Sequence, residues 1–306
     1  MKVAQFDSEN GLFVGLELDG KWINYSKASA VYYALVHDLT LPPRPTIELL
    51  LEQEQFDAAE FKSIAGFVRK NKLQQFMAPP EGSMLRAPLM RPRKIVALGL
   101  NYGLHVKEGS LSKPSEPVLF LKAGSSVIDP GAPIRIPRGM GRIDHEVELA
   151  VVIGKTASGV QRKNAFAYVA GYTICNDVTA RTLQTEDINR RYPWFRTKSF
   201  DTFTPLGPWI VPAAHVANPD DLGIVTRVNG VVKQDGRTSR LIWDLPHIIR
   251  SASAVMTLHP GDIILTGTPD GVGQGRTPPE FLAAGDLVEI EIEGIGRIET
   301  PMVAEG

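Results

Sequence analysis

Short apolar stretches and turn residues alternate along the first 80 positions. Residues 13–18 (FVGLEL) alternate in polarity, and Asp19-Gly20 then predicts a turn into a second strand at 21–26. Between residues 57 and 76, apolar side chains recur at helical spacing behind Asp57, a residue suited to cap a helix. Prolines are frequent at 79–93. We therefore expect a small α+β N-terminal accessory domain at 1–78, a linker at 79–93 and a larger domain at 94–306.

Beyond the linker, short apolar runs recur between Gly, Pro and Asp. They predict strands at 95–98, 118–121, 146–153, 170–175, 209–211, 223–229, 263–266 and 287–292. The clearest helical pattern covers 242–258. Many short strands and few helices predict a fold that is mainly β with some α.

Composition narrows the function classes. The 306 residues carry 33 Lys and Arg against 34 Asp and Glu, so no electrostatic footprint for nucleic acid or an anionic membrane is expected. No apolar run approaches the roughly 20 residues that a membrane-spanning helix needs. The single cysteine, Cys175, excludes an intrachain disulfide framework and a zinc finger. A reducing, cytoplasmic location fits this usage.

A pair of glutamates opens the most informative segment, residues 144–154 (DHEVELAVVIG). Glu146 and Glu148 are two positions apart, so on a strand they point to the same face. A solvated amphipathic strand is the alternative, and it is our interpretation of the alternating acids at 289–293. The residues after Glu148, however, are apolar at every position from 149 to 153, as in a strand buried on both faces. Two buried carboxylates on one face repel each other, so they need a cation or must take up a proton. Hard oxygen ligands suit Mg²⁺, Mn²⁺ or Ca²⁺.

A third carboxylate, Asp177, follows the predicted strand at 170–175. It is a candidate third ligand, and water or a chelating substrate would complete an octahedral shell. The alternative is that Asp177 caps a helix over 178–184.

His105 and Glu108 lie three positions apart, so they are neighbours if residues 101–108 (NYGLHVKE) are helical. A carboxylate beside an imidazole orients it as a general base. The alternative is an incidental pair on a surface helix.

Two further segments are candidates for substrate binding. Residues 181–198 are rich in Arg and Lys and suit an anionic substrate, or else form a solvated lid anchored by Trp194 and Phe195. The glycine-rich residues 266–273 offer backbone N–H groups and a hydroxyl to a carboxylate, or else form a simple turn.

Taken in order, these segments resemble the fumarylacetoacetate hydrolase superfamily. The resemblance covers about residues 94–300 and rests on NYxxHxxE, ExE, NDVTARxLQ, KSFDTFTPLGPW and LTGTPxGVG. It implies a mixed β-sandwich roll, preceded here by the accessory domain of longer bacterial members. It also implies a homodimer and a bound Mg²⁺ or Mn²⁺.

The resemblance also implies a role for each matching residue. The implied metal ligands are Glu146, Glu148 and Asp177. The implied catalytic residues are His105 and Glu108, which activate water, and Arg181, Gln184 and Lys198, which face the developing oxyanion. Thr268 is expected to contact the substrate carboxylate, with Tyr102 and Gly267 as further substrate-binding residues. Two positions depart from the pattern: His145 stands where Tyr is common, and Gly103 where bulkier residues are usual.

The implied activity is hydrolysis of a C–C bond in acylpyruvates, which are small anionic 2,4-dioxo acids, by way of a pyruvate enolate. The same enolate chemistry leaves open an oxaloacetate decarboxylase. It also leaves open an isomerase or decarboxylase of the 2-hydroxyhepta-2,4-diene-1,7-dioate type in aromatic catabolism. A non-catalytic metal-binding protein that acts through a partner is the remaining alternative.

Overall fold

The computed structural model describes residues 1–109 and 112–305. The strands are β1 (Val3–Ser8), β2 (Gly11–Leu18), β3 (Lys21–Asn24), β4 (Met84–Arg86), β5 (Ile95–Gly99), β6 (Val118–Lys122), β7 (Val127–Ile128), β8 (Ile134–Ile136), β9 (Ile143–Asp144), β10 (Val147–Ile153), β11 (Val169–Asn176), β12 (Thr179–Ala180), β13 (Thr204–Pro212), β14 (Gly223–Val228), β15 (Val231–Arg237), β16 (Ile263–Leu265), β17 (Leu287–Ile292) and β18 (Gly296–Ala304). The helices are α1 (Tyr25–His37), α2 (Ile47–Glu52), α3 (Ala58–Lys70), α4 (Gly103–Glu108), α5 (Arg181–Arg190), α6 (Phe195–Lys198) and α7 (Leu245–Val255).

Two packed sheets form the body of the protein. The larger sheet has the order β3-β2-β1-β13-β11-β10-β16-β5-β6, and β4 and β7 pair with β1 and β13 at its side. The smaller sheet has the order β15-β14-β17-β18-β8. A hydrophobic core fills the space between them, with side chains from β10 on one sheet and from β14, β17 and β18 on the other. The prediction of a mainly β fold with some α, built as a mixed β-sandwich, is confirmed.

The N-terminal unit continues the larger sheet. The predicted hairpin is present as β2 and β3, and β1 pairs antiparallel with β13 through Val3 and Ile210. Helices α1, α2 and α3 pack beside these strands in a second apolar cluster. The division at 79–93 stays a prediction, and within that segment β4 pairs with β1.

Local patterns misplaced several helix boundaries. The strand predicted at 21–26 ends at Asn24, because Asn24 accepts a hydrogen bond from Lys27 and starts α1. Asp57 caps α3 as expected, but the helix ends at Lys70 rather than at residue 76. The pattern at 242–258 contains α7, which begins after the cap Asp244. No helix in the described ranges is both long and apolar enough to cross a membrane.

Strand β10 positions the site. All its residues are buried, as the apolar run at 149–153 predicts. Its odd-numbered residues face the core between the sheets, whereas Ala150 and Val152 face the cluster shared with the N-terminal unit. Because faces alternate along a strand, Glu146 and Glu148 lie on the second face. Antiparallel pairing of Glu148 with Cys175 carries the chain on to Asp177, whose backbone N–H donates to the Glu146 carbonyl at 2.8 Å.

Candidate active site

An acidic triad forms where β10 begins and β11 ends. One carboxylate oxygen from each of Glu146, Glu148 and Asp177 lies within 4.8 Å of the other two, and all three residues are buried. Asp177 does not cap a helix: α5 starts only at Arg181, and Ala180 occupies its N-cap position. The alternative interpretation of Asp177 is therefore wrong. Tertiary pairing brings together carboxylates that are up to 31 positions apart, as Glu146 and Asp177 are in the sequence.

Three buried cations surround the triad. Lys198 Nζ donates to Glu146 Oε2 at 2.6 Å and to Asp177 Oδ2 at 2.7 Å. Lys122 Nζ donates to Asp177 Oδ1 at 2.6 Å and to the Lys198 and Phe203 carbonyls at 2.6 and 3.1 Å. These three acceptors match the three hydrogens of the Lys122 ammonium. Lys122 thereby fixes both a carboxylate of the triad and the backbone of Lys198.

The third cation, Arg181, clamps two acids. Its Nε donates to Asp144 Oδ2 at 2.8 Å and one terminal nitrogen donates to Glu146 Oε1 at 2.5 Å. Its other terminal nitrogen donates to Gln184 Oε1 at 2.9 Å. The side-chain N–H₂ of Gln184, which lines the cavity described below, is left to donate to a ligand. Arg181 therefore organises the site, and Gln184 is the member of this pair that faces the cavity with a donor.

Glu148 differs from the other two triad members because it has no cationic partner in the described ranges. One oxygen accepts the Gly267 backbone N–H at 2.6 Å. The triad and Asp144 together carry four carboxylates, and the surrounding side chains supply three cations. The cluster therefore has one excess negative charge. Such a buried charge needs a cation or a proton. Three carboxylate oxygens of this kind fit a hard divalent ion such as Mg²⁺ or Mn²⁺.

The pKa shifts of the triad follow from this charge distribution. Burial raises the pKa of Glu148 well above its usual range, and the charges of Asp177 and Glu146 reinforce the shift. Burial acts in the same direction on Glu146, but the charges of Lys198 and Arg181 outweigh it and hold the pKa of Glu146 below its usual range. Burial lowers the pKa of Lys198, yet Asp177 and Glu146 reverse this and leave the pKa of Lys198 raised. Lys198 is therefore a stable ammonium.

Helix α4 places the predicted His–Glu pair over the site. His105 Nδ1 and Glu108 Oε2 are 3.3 Å apart, and the second oxygen of Glu108 accepts the Gly271 N–H at 3.0 Å. Both side chains are mostly buried and line the cavity, so the alternative of an incidental surface pair does not describe them. The geometry suits an imidazole that is oriented by a carboxylate.

A cavity of about 290 Å³ opens beside the triad. The predicted site residues that line this cavity are His105, Glu108, Glu146, Glu148, Arg181, Gln184, Lys198 and Thr268. Its apolar side includes Phe120, Ile188 and Trp194. Asp177 lies behind Lys198, outside this lining.

Two predicted substrate-binding residues take other positions. Gly267 does not line the cavity, and its N–H is committed to Glu148. Tyr102 is buried outside the lining, and its hydroxyl has no hydrogen-bond partner among the described residues. Burial and the charge of Glu148 raise the pKa of Tyr102. Gly267 therefore supports the triad, and neither residue belongs to the cavity wall.

Only some residues of the segment 181–198 face the site. Arg181, Gln184 and Lys198 face the site, whereas Arg196 forms an ion pair with Asp187 away from it. Trp194 packs edge-on against Phe120 with ring centroids 5.6 Å apart, but Phe195 is about half exposed. The solvated-lid interpretation thus holds for only part of the segment. The alternating acids at 289–293 each form an ion pair with an arginine of the smaller sheet. Glu291 and Glu293 are exposed, as a solvated strand predicts, but Glu289 is buried, so the prediction is wrong for that residue.

Sequence reasoning missed Lys122, Asp144 and Gln234. Lys122 ends an apolar strand, the same signal that pointed to Asp177, and Asp144 lies two positions before Glu146. Gln234 carries no comparable signal, since it lies in the middle of β15 among polar residues. His145, the departure from the pattern, is buried and bonds Gln234 at 2.9 Å.

Comparison with known proteins identifies the family of this chain. The chain is similar to oxaloacetate tautomerase YisK of Bacillus subtilis, with 38% identity over 305 residues, which cover 97% of this chain and 98% of that protein. Two solved structures match 100% of both chains: a fumarylacetoacetate hydrolase from psychrophilic Exiguobacterium antarcticum (TM-score 0.80, 34% identity) and a maleylpyruvate hydrolase from Sphingobium sp. SYK-6 (TM-score 0.74, 30% identity). The latter was solved in complex with manganese(II) ion and pyruvate. The family described as fumarylacetoacetate (FAA) hydrolase C-terminal matches residues 94–303, so the chain belongs to the fumarylacetoacetate hydrolase family.

Proposed function

We propose that this protein is a Mg²⁺- or Mn²⁺-dependent enzyme that stabilises the enolate of a small 2-oxo acid, and that its reaction is the keto–enol tautomerisation of oxaloacetate. The observation that carries the proposal is Glu148, a buried carboxylate beside the cavity with no cationic partner in the described ranges. The similarity to an oxaloacetate tautomerase over almost the whole chain supports the choice of reaction.

Glu146, Glu148 and Asp177 would hold the metal. A bound divalent ion supplies Lewis acidity, which favours an enolate over its keto form. The protein's own hydrogen-bond donors act on the C2 oxygen of the substrate. Lys198 has one hydrogen left after its two carboxylate bonds, and the Gln184 amide offers another donor to the cavity. Both stabilise negative charge as it develops at the C2 oxygen.

His105 is the proposed proton carrier. Held by Glu108, it takes the proton as the C3–H bond of the keto acid breaks, and the proton returns at the C2 oxygen to complete the enol. Thr268 is proposed to bind the C1 carboxylate. No water enters this balance.

Acylpyruvate hydrolysis is the second candidate, and the His105–Glu108 pair favours it specifically. An imidazole oriented by a carboxylate can deprotonate a water molecule for attack on a distal carbonyl. The apolar side chains of Phe120 and Trp194 in the cavity wall suit a distal substituent that is less polar than the C4 carboxylate of oxaloacetate. Homodimer formation and a cytoplasmic location accompany both candidates as proposals.

The test is turnover by protein stripped of metal and refilled with Mg²⁺ or Mn²⁺. Oxaloacetate, acetylpyruvate and fumarylpyruvate are offered in parallel, with metal alone as the background. His105→Ala is the site variant, and His215→Ala, at an exposed position away from the cavity, is its matched control. Faster enol–keto exchange that is lost only in His105→Ala supports the tautomerase.

Other outcomes identify the alternatives. Acylpyruvate cleavage without faster tautomerisation selects the hydrolase, and release of CO₂ from oxaloacetate selects the decarboxylase. If metal-loaded protein turns over none of the three substrates, a diene-dioate isomerase substrate is tried next. Failure there as well would leave the non-catalytic alternative.

A further inference from the structure

Gln234 lies where the smaller sheet touches the loop that carries Thr268. It belongs to β15 and is 1% exposed. Two glycines allow this close approach. A Cβ on Gly236 would meet the Pro269 ring at 2.6 Å, and one on Gly271, whose φ is +97°, would meet the Lys233 carbonyl at 2.1 Å. The glutamine side chain is thereby held directly against the loop behind the cavity.

The hydrogen bonds of Gln234 allow only one orientation of its amide. The Val147 backbone N–H, which can only donate, lies 3.3 Å from Oε1. The Pro269 carbonyl, which can only accept, lies 2.8 Å from Nε2. Exchanging oxygen and nitrogen would break both bonds. Thr226 Oγ1 and His145 Nδ1 also lie within 3.0 and 2.9 Å of Oε1, so they too act as donors.

This orientation dictates the role of the Thr268 hydroxyl. The second hydrogen of the Gln234 amide is donated to Thr268 Oγ1 at 2.8 Å. Thr268 therefore accepts on the side away from the cavity, and its own hydrogen needs another acceptor. No described residue accepts it, and Thr268 lines the cavity beside Glu148. The free hydrogen is thus available to a ligand in the cavity.

We infer that Gln234 is a positioning residue that presents Thr268 as a hydrogen-bond donor to the carboxylate of an anionic substrate. The inference rests on the proposed function, since it needs a 2-oxo acid in the cavity. Without the amide donor, the hydroxyl is free to turn its hydrogen toward the Pro269 side. With the amide in place, the donor is already oriented when the ligand arrives.

The experiment measures pyruvate binding to the Mn²⁺-loaded protein by calorimetry. Gln234→Glu replaces the amide donor with a second acceptor of the same shape, which draws the Thr268 hydrogen away from the cavity. A lost hydrogen bond to a charged acceptor corresponds to weaker binding by on the order of 10- to 100-fold. Mn²⁺ affinity, measured on the same samples, is expected to stay unchanged, whereas general damage to the site would lower it.

Thr268→Val separates the orientation effect from the added charge. In that background, Gln234→Glu is expected to cost no further pyruvate affinity, because the hydroxyl is already gone. Thr226→Val is the matched control: it removes one of the three donors to Oε1 and leaves the Nε2 bond to Thr268 intact, so pyruvate affinity should not change. If Gln234→Glu does not fold, Gln234→Met, which adds no charge, takes its place in the same cycle.

Each result decides a different point. Equal pyruvate affinity in wild type and Gln234→Glu, or an equal loss with and without the Thr268 hydroxyl, overturns the inference and leaves the proposed function standing. Absence of pyruvate binding by the Mn²⁺-loaded wild type overturns the proposed function and the inference together.

Discussion

Glu148→Gln tests the central feature of the site, a buried carboxylate with no cation of its own. The amide keeps the shape of the side chain and can still accept the Gly267 N–H through its oxygen. It removes the charge that repels Glu146 and Asp177. We expect two opposite effects: the metal-free protein becomes more stable, and the metal-bound form is lost.

The magnitude follows from the distances. Charges that lie within 4.8 Å of each other repel by at least about 3.5 kcal/mol at an effective dielectric constant of about 20. In the metal-free protein Lys198, shared between Glu146 and Asp177, offsets part of this repulsion, and proton uptake by Glu148 relieves more. We therefore expect Glu148→Gln to raise the free energy of unfolding of the metal-free protein by about 1–3 kcal/mol. With about 2.1 cal/mol/K of unfolding entropy per residue, 306 residues convert this gain to a rise of about 2–5 °C in Tm.

In the presence of Mn²⁺, Glu148→Gln should instead lower stability relative to wild type, because it loses the stabilisation that metal binding provides. At 100 times its Kd, Mn²⁺ stabilises a protein by about 2.7 kcal/mol, which corresponds here to about 4 °C. Glu148→Gln should lose more than roughly 100-fold in Mn²⁺ affinity, above the 10- to 100-fold range that supporting residues cost, and so lose this shift.

Melting curves with chelator and with excess Mn²⁺, together with a binding isotherm, measure both effects. Glu291→Gln is the matched control, because Glu291 belongs to the similar acidic alternation on β17 but is exposed and paired with Arg227. It should change neither quantity appreciably. A metal-free Glu148→Gln protein that is less stable than wild type, or one that keeps the Mn²⁺ shift, would refute the assignment.

Three further changes test other parts of the structure. Lys122→Met should lower the free energy of unfolding by about 3–5 kcal/mol and Tm by about 5–8 °C, because it leaves the buried carboxylate of Asp177 without one of its cations. Unchanged denaturation curves would contradict this. Burial raises the pKa of Glu48, so its folded form binds a proton more readily and its contribution to stability falls as pH rises above about 4.5. Glu48→Gln should therefore raise Tm at pH 7.5 more than at pH 4.5, and an equal change at both pH values would disprove the burial effect. Gly99→Ala places a methyl group 2.2 Å from the Trp194 ring. It should lower the free energy of unfolding by about 1–3 kcal/mol and alter tryptophan fluorescence. Wild-type stability and emission would show that the ring is not held there.

The sequence was informative where local pattern and burial coincide. A short run that is apolar at every position favours a strand covered on both faces, and residues 149–153 form the buried part of β10. The i, i+3 spacing of His105 and Glu108 predicts their contact as soon as the segment is helical. Glu146, just before β10, and Glu148, within it, indicated a cation site because burial makes an isolated charge costly.

Boundaries and partners were not predictable in this way. The helix pattern at 57–76 did not show that α3 ends at Lys70, since apolar residues continue to recur beyond that point. Asp177 before a polar segment looked like a helix cap, although α5 begins only at Arg181. Helix α3 ends in a local turn, where Lys72 takes a left-handed φ of +57°. Residues 179–180 are kept out of a helix by tertiary pairing, because β12 pairs with β9.

By itself, then, the sequence determined the chemistry available to this protein: which side chains can bind a metal, carry a proton or donate to an oxyanion, and which faces are buried. The tertiary structure alone decided which of them meet. Lys122 reaches Asp177 across 55 positions and Gln234 reaches Thr268 across 34, through strands that the larger and smaller sheets bring into contact. Periodicity records which face of an element is apolar, whereas the partner on that face depends on strand order and register, which are set by contacts far apart in the chain.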